Sequence, residues 1–164
     1  MKNLKLLRKA AGYSQLQLAA FLHTNPSTIS NWELGKSVPR IGQMVKMCRV
    51  LNCIPSDFFD IPDCENGCTY IPVFSQTLPC DVTFEEVSAD NSYPPLHFGI
   101  KLNRDLSGRL RNGDVCFFSM EKAAAEGDIV LGCDENFNER ILPFYLPENN
   151  IAPVAVCHFA RMTV

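Results

Sequence analysis

The sequence predicts an α+β protein with a helical N-terminal domain and a mostly-β C-terminal domain. Up to Phe59, apolar residues recur at helical spacing and Gly–Pro clusters are nearly absent. The segment IPDCENGCTYIP, which begins at Ile61, is rich in turn-forming residues and is typical of a linker. Short apolar runs separated by turn signals follow, as is typical of strands: VCFF at 115–118, DIVL at 128–131, ILPFYL at 141–146 and VAVC at 154–157. We therefore predict a domain over residues 1–61, a linker over 62–70 and a β domain over 71–164.

The composition limits the classes of protein that the chain can belong to. Its 164 residues correspond to one large domain or two small ones, and 46% hydrophobic with 20% charged residues is a globular composition. No apolar run approaches the ~20 residues that span a membrane, and the first residues lack the features of a secretory signal. We expect a cytoplasmic protein with no membrane partner, whose eight cysteines are reduced thiols.

The net charge of −3 conceals an asymmetry between the two parts of the chain. Up to Pro62 there are eight Lys and Arg residues against three Asp and Glu, and the remainder has seven against fifteen. A basic first third favours a polyanionic partner such as nucleic acid if the charge lies on one face. An ordinary solvated helical surface would give the same count, so charge alone leaves both interpretations open.

Apolar spacing and capping signals predict five helices in the N-terminal domain. Leu4, Leu7 and Ala11 share one face of a first helix, which Gly12 ends. Ser14 and Gln17 form a capping box for a second helix that runs from Gln15 to about Leu22.

A third helix begins at Pro26 with Asn25 as its N-cap, and continues to about Leu34 before Gly35. Ile41, Met44, Cys48 and Leu51 mark the inner face of a fourth helix. A short fifth helix begins at Pro55 and places Phe58 or Phe59 against the core.

The stretch LKLLRKAAGYSQLQLAAFLHTNPSTISNWELGKSVPR resembles the helix-turn-helix of the XRE/Cro family of regulators, which includes phage repressors. The agreement lies in Arg8, SQLQLA at 14–19, STIS at 27–30, WELGK at 32–36 and Pro39, and it covers about residues 2–60. The resemblance implies a λ-repressor-like domain of five helices. It also implies that the third helix enters the major groove of double-stranded DNA.

The resemblance assigns base contacts to residues of the third helix. Ser27 and Asn31 fall where the family reads bases, and an Asn amide can pair with adenine at two atoms. Pro26 falls at a further reading position, where it can offer only van der Waals contact, for example to a thymine methyl group. A solvated surface amide is the alternative for Asn31.

Other residues fall at phosphate-binding positions. Gln15 and Asn25 lie at the positive ends of the second and third helices, and Lys36 and Arg40 follow the third helix. Thr28 and Ser30 are candidates for backbone contacts or solvated hydroxyls.

Three further residues of this region have structural interpretations. Arg8 and Glu33 match a buried ion pair of the family that ties the first helix to the third. Trp32 is interpreted as core packing rather than as a stacking platform, and His23, in the turn, as structural or close to a phosphate.

The remainder resembles the LexA/signal-peptidase-like domain of cleavable repressors. IPVF at 71–74, NGDVCFF at 112–118, EGDIVL at 126–131 and VAVCHFARM at 154–162 carry this resemblance. It implies a mostly-β fold in which each Gly-Asp pair introduces a strand. It also implies a dimerisation role.

The residues that self-cleavage requires in that family are absent. Asp105 occupies the position of the nucleophilic serine, eight residues before Gly113. The region of the catalytic lysine reads FNERIL, in which Arg140 cannot act as a base, and Pro79-Cys80 replaces the small scissile pair. We therefore expect no enzymatic activity.

These observations predict a dimeric repressor that binds a near-palindromic operator through the third helix and responds to an unidentified inducer or antirepressor. Two alternatives remain open. One is a self-cleaving repressor that uses Ser107 with Lys101 or Lys122. The other is an antitoxin-type adaptor whose β domain binds a protein.

The cysteines offer a weaker hypothesis. Three cysteines lie in or near the linker: Cys64, Cys68 and Cys80. Their thiols could bind zinc or sense an oxidant, but they form no CxxC pair. Cys48, Cys116, Cys133 and Cys157 lie in apolar strings and are interpreted as small core residues. No phosphate-binding loop, dinucleotide fingerprint or HExxH motif occurs, and we expect neither a cofactor nor a metal.

Overall fold

The structure is a computed structural model of the 164-residue chain. It describes residues 1, 3–61, 68–76, 80–88, 95–106, 110–121, 123–133, 139–143 and 152–161. These residues form a few N-terminal helices followed by a sheet, which confirms the α+β class and its order along the chain.

Four α-helices form the N-terminal part: α1 (Leu4–Ala10), α2 (Gln15–Phe21), α3 (Pro26–Glu33) and α4 (Ile41–Leu51). The predicted capping box begins α2, since the Ser14 hydroxyl accepts from the Gln17 N–H at 3.1 Å and the Gln17 side chain accepts from the Ser14 N–H at 2.8 Å. Pro26 is the first residue of α3, as expected for a residue without an N–H to satisfy.

The predicted fifth helix is a short 3-10 helix over Pro55–Phe58, so the described residues form four α-helices where five helices were expected. The Asp57 carboxylate accepts from the Ile54 N–H at 2.9 Å, which ties the third helical residue back to the residue before the helix. At Phe59 the backbone is already extended. A segment of this length closes only i→i+3 hydrogen bonds.

The C-terminal part is a seven-stranded sheet whose order is β2-β1-β3-β4-β7-β5-β6. The strands are β1 (Cys68–Ser75), β2 (Val82–Ser88), β3 (Phe98–Lys101), β4 (Val115–Ser119), β5 (Ile129–Cys133), β6 (Glu139–Pro143) and β7 (Ala152–Arg161). The pair β1–β3 is parallel and the others are antiparallel. The four predicted apolar runs overlap β4, β5, β6 and β7, and residues 144–146 of the third run lie outside the described residues.

Two turns of the same construction lead into β4 and β5. Gly113 and Gly127 have φ of 96° and 88°, which disfavours a side chain. The aspartate after each glycine accepts a hydrogen bond from the N–H three residues earlier: Asp114 from Arg111 at 2.7 Å, and Asp128 from Ala125 at 3.0 Å. Each Gly-Asp pair therefore introduces a strand, as the resemblance implied.

The helices and the sheet share one hydrophobic core. Buried side chains of α2, α3 and α4 belong to the same cluster as Phe74 of β1 and Phe98 of β3. The ring of Phe59, just after the 3-10 helix, lies 5.5 Å from that of Phe84 and 6.2 Å from that of Phe74. The Ser56 hydroxyl donates to the carbonyl oxygen of His97 at 3.3 Å. The two parts of the chain are therefore in contact.

The first strand begins at Cys68, inside the segment predicted as linker over 62–70. Thr69 and Tyr70 pair with Val87 and Glu86 of β2, so the ladder extends further than the turn-rich composition suggested. Residues 62–67 lie outside the described residues. None of the helices that the structure describes is long and apolar enough to cross a membrane.

Candidate nucleic-acid interface

The orientation of α3 follows from which of its side chains are buried. Ile29 is fully buried and Trp32 is 3% exposed, so both pack in the core. This confirms the structural interpretation of Trp32. Pro26, Ser27 and Asn31 are exposed. An eight-residue helix with one apolar stripe turns its opposite side to solvent.

The remaining predicted site residues divide by exposure. Asn25, Lys36 and Arg40 are exposed, whereas Gln15, Thr28 and Ser30 are half-buried. The exposed members include both cations predicted to follow α3. We name the exposed set on and around this helix the α3 face; its residues are Asn25, Pro26, Ser27, Asn31, Lys36 and Arg40.

Asn25 is the N-cap of α3, as expected, and it caps the helix through its backbone. Its carbonyl oxygen accepts from the N–H of Thr28 at 2.9 Å and of Ile29 at 3.3 Å, while its side chain makes no capping hydrogen bond. The Asn25 amide is therefore not engaged by the helix.

The side chain of Gln15 joins α2 to α3. Its Nε2 donates to Oε2 of Glu33 at 2.8 Å. Gln15 was predicted to begin α2 and to contact a phosphate, but this contact could not be predicted because it links residues 18 positions apart. The start of α2 is thereby held to the end of α3.

Arg8 and Glu33 form the predicted ion pair, with Nε and Oε1 2.6 Å apart and side chains 8% and 5% exposed. Arg8 also donates from Nη1 to the Tyr13 carbonyl oxygen at 2.6 Å. Burial alone would raise the pKa of the Glu33 carboxyl, but hydrogen bonds from Arg8 and Gln15 and the charges of Arg8 and Lys5 outweigh it and lower that pKa. Glu33 is therefore charged and compensated, and Arg8 is not available to a phosphate.

The electrostatics around α3 favour an anion. Neither α2 nor α3 has an acidic residue in its first turn, so no carboxylate opposes the positive helix ends. The nearest carboxylate, that of Glu33, is buried against Arg8. Lys36 and Arg40 place two exposed positive charges after the helix.

The turn between α2 and α3 contains a residue in a strained conformation. His23 has φ of 49°, in the left-handed region that non-glycine residues rarely adopt. Its imidazole is exposed. The sequence places His23 in this turn, but its backbone conformation could not be predicted because it depends on how α2 and α3 are positioned.

Asp105, at the position expected for the nucleophilic serine, has a structural contact in the described part of the chain. Oδ1 of Asp105 accepts from the Asn112 N–H at 2.8 Å and so stabilises the turn before β4. Lys101 is exposed at the end of β3 and Arg140 is exposed on β6. Ser107 and Lys122, the alternative catalytic pair, lie outside the described residues, as does Pro79.

The cysteines correct one expectation. Cys68 is disulfide-bonded, so the chain does not contain only reduced thiols. The expectation was derived from the compartment, which does not determine whether the fold brings two sulfur atoms within bonding distance. Five cysteines of the described residues are not in a disulfide: Cys48, Cys53, Cys80, Cys116 and Cys157.

The predicted cluster of Cys64, Cys68 and Cys80 lies only in part within the described residues. The Cys80 thiol is buried and donates to the carbonyl oxygen of Ser75 at 3.2 Å, and Cys64 lies outside the described residues. Over those residues, no group of three or more His, Cys, Asp or Glu side chains is arranged to hold a metal ion.

Residues 4–59 match a protein-family model described as Helix-turn-helix. The matched range contains α1 to α4, the 3-10 helix and the whole α3 face. This match supports a DNA-binding transcriptional regulator. A search of the curated proteins gave no match.

Proposed function

We propose that this protein is a sequence-specific transcriptional repressor that binds a near-palindromic operator as a dimer through α3. The main observation behind this proposal is that one side of α3 is buried in the core and the other side, which belongs to the α3 face, is exposed to solvent. Ile29 and Trp32 lie in the core, so Ser27 and Asn31 are left exposed for base edges. The helix-turn-helix match over residues 4–59 supports the same use of this helix.

The side chains of the α3 face are suited to recognition of bases in the major groove. The Asn31 amide can donate a hydrogen bond to N7 of adenine and accept one from the exocyclic amine of the same base. This two-atom contact distinguishes adenine from the other bases. The Ser27 hydroxyl can pair with several bases, and Pro26 presents only carbon atoms, which suit a thymine methyl group. Base specificity is therefore proposed to depend on Asn31 more than on its two neighbours.

Phosphate contacts are proposed to fix the register of the helix on the duplex. Lys36 and Arg40 are exposed beside α3 and would neutralise phosphates, with release of counterions. Gln15 and Asn25 lie at the starts of α2 and α3, where Gln15 also holds Glu33. Thr28 and Ser30, half-buried on α3, are proposed as secondary backbone contacts.

The β domain is proposed to pair two copies of the chain and to receive a signal, without catalysis. One helix-turn-helix reads only a few base pairs, and a two-fold dimer places two recognition helices about 34 Å apart, one turn of the duplex. Asp105 has no hydroxyl for nucleophilic attack and instead stabilises the turn before β4. An inert domain should remain intact during prolonged incubation at alkaline pH, which gel electrophoresis can follow.

Selection of bound duplexes from a random pool tests the proposed function. The full-length protein should enrich a near-palindrome with two half-sites one helical turn apart, each containing an adenine opposite Asn31. Enrichment of a single half-site would contradict the dimer. Failure to enrich any sequence, while the protein retains its helical circular dichroism, would contradict sequence-specific recognition and favour an adaptor role.

A further inference from the structure

Two free thiols meet where α4 ends. Cys48 lies in the last turn of α4, and Asn52, with φ of 51°, reverses the chain after it. The reversal brings the N–H of Cys53 to the carbonyl oxygen of Cys48 at 3.0 Å. The two thiols interact, since Cys53 raises the pKa of the Cys48 thiol, and neither is in a disulfide. The sulfur atoms are therefore already neighbours.

The two thiols differ in their access to solvent. Cys48 is 1% exposed, whereas Cys53 is only half-buried. The hydrogen bond with Cys53, burial and the charge of Asp57 raise the pKa of the Cys48 thiol, so Cys48 remains protonated at neutral pH. An oxidant from solvent can therefore reach the Cys53 thiol more easily than the Cys48 thiol, and the oxidised Cys53 has a second thiol beside it.

We propose that Cys48 and Cys53 are a redox modification site, at which a peroxide converts the two thiols reversibly into an intramolecular disulfide. The Cys53 thiolate attacks the peroxide, its O–O bond breaks, and Cys53 becomes a sulfenic acid while hydroxide leaves. The Cys48 sulfur then attacks the Cys53 sulfur, the S–O bond breaks and an S–S bond forms. The proton of Cys48 leaves in a water molecule. Two thiols are oxidised and one peroxide is reduced.

The site lies at the connection between the two parts of the chain. The 3-10 helix begins two residues after Cys53, and its Ser56 hydroxyl donates to the carbonyl oxygen of His97 beside β3. A covalent bond between Cys48 and Cys53 would fix the turn that joins α4 to this contact. Oxidation would thus act at the junction, away from the α3 face.

A second thiol pair in the sheet provides an internal comparison. The Cys116 thiol of β4 interacts with the Cys157 thiol of β7. Cys116 is fully buried and Cys157 is half-buried, so this pair has the same division of exposure as Cys48 and Cys53. Cys116→Ser therefore serves as the matched variant that leaves the pair at α4 intact.

Tryptic mapping of the full-length chain tests the proposal, because Arg49 lies between the two cysteines. Trypsin should separate them in untreated protein and leave the two fragments joined after hydrogen peroxide, with a loss of two hydrogen atoms that dithiothreitol reverses. The joined species should be absent in Cys53→Ser and retained in Cys116→Ser. Joined fragments that persist in Cys53→Ser, or their absence from peroxide-treated wild type, would overturn the proposal.

A second variant tests the order of the two steps. In Cys48→Ala the sulfenic acid on Cys53 has no thiol to resolve it, so dimedone should label Cys53 during peroxide treatment and label it much less in wild type. Equal labelling in the two proteins would show that Cys48 does not resolve the oxidised Cys53, and would reject the pair as a disulfide-forming site.

Discussion

Arg8 contributes to the basic count of the first third but not to its available charge, because its guanidinium is buried against Glu33 and the Tyr13 carbonyl oxygen. Its role is to join α1 to α3. Lys36 and Arg40 are exposed beside α3, whereas the other exposed cations that the structure describes in this third, Lys5, Lys9 and Arg49, lie on α1 and α4. At the scale of single residues, a charge count therefore overstates what a nucleic acid can contact, and burial decides which charges it can reach.

Arg8→Ala should destabilise the protein by about 3–5 kcal/mol, because it leaves the Glu33 carboxylate buried without its partner. Lys9→Ala, an exposed change on the same helix, should stay within about 0.5 kcal/mol of wild type. Urea denaturation followed by circular dichroism measures both. Adding Glu33→Gln to Arg8→Ala should recover part of the loss, and an Arg8→Ala cost below about 1 kcal/mol would contradict the proposed role of the ion pair.

At the scale of elements, features set by local sequence were predictable. The capping box at Ser14 and Gln17, proline at the start of α3 and the two Gly-Asp turns each depend on residues within one turn of each other. Features set by distant residues were not predictable. The Gln15–Glu33 hydrogen bond, the left-handed conformation of His23 and the strand pairing of Thr69 depend on how separate elements pack.

At the candidate site, too, features set by local sequence were predictable and features set by packing were not. The α3 face could be predicted because the apolar positions of one helix, Ile29 and Trp32, determine which side points outward. Asn25 could be predicted as the N-cap, but that it caps through its backbone and not through its side chain could not, because a preference for asparagine at this position does not require that its side chain bond. The disulfide of Cys68 could not be predicted from the expected redox compartment.

Gly99 lies between two neighbouring strands in a space that admits no side chain. A Cβ atom at this position would lie 2.9 Å from Cγ2 of Val73 and 3.1 Å from Cγ1 of Val115. Both neighbours are β-branched and rotate with difficulty. Gly99→Ala should therefore cost about 1–3 kcal/mol of unfolding free energy.

A double-mutant cycle separates crowding from other effects of the Gly99→Ala change. In a Val73→Ala background the closest methyl group is removed, so the additional cost of Gly99→Ala should shrink. Chemical denaturation of the four proteins gives the coupling. If the two costs simply add, crowding against Val73 is not the cause.

At the scale of the whole molecule, His97 lies at the contact between the 3-10 helix and the sheet. Its Nδ1 accepts from the Met120 N–H at 2.9 Å, and its Nε2 lies 3.7 Å from a carboxylate oxygen of Glu121. Burial lowers the pKa of His97, although the charges of Glu121 and Asp57 act in the opposite direction. The imidazole is therefore neutral in the folded protein, with its proton on Nε2.

Stability should fall as the pH decreases through about 6.5, the ordinary pKa of histidine, towards the lower folded value. Over this interval the unfolded chain binds a proton that the folded chain excludes, so acid favours unfolding. Thermal melts from pH 7 to pH 5 should show this loss in wild type and a flatter profile in His97→Gln. His23→Asn removes an exposed imidazole and should keep the wild-type profile. A His97→Gln profile as steep as wild type would exclude His97 as the cause.

Contact between the α3 face and DNA bases is tested by measuring the affinity of Asn31→Ala for the operator that the selection from a random pool identifies. Loss of a two-atom adenine contact is worth about 1–3 kcal/mol, so at fixed salt the dissociation constant should rise by about 5- to 150-fold with unchanged thermal stability. Preference for the adenine should also disappear. Asn103→Ala, an exposed asparagine of the β domain, should bind like wild type. An Asn31→Ala protein that binds with wild-type affinity and base preference would contradict the account.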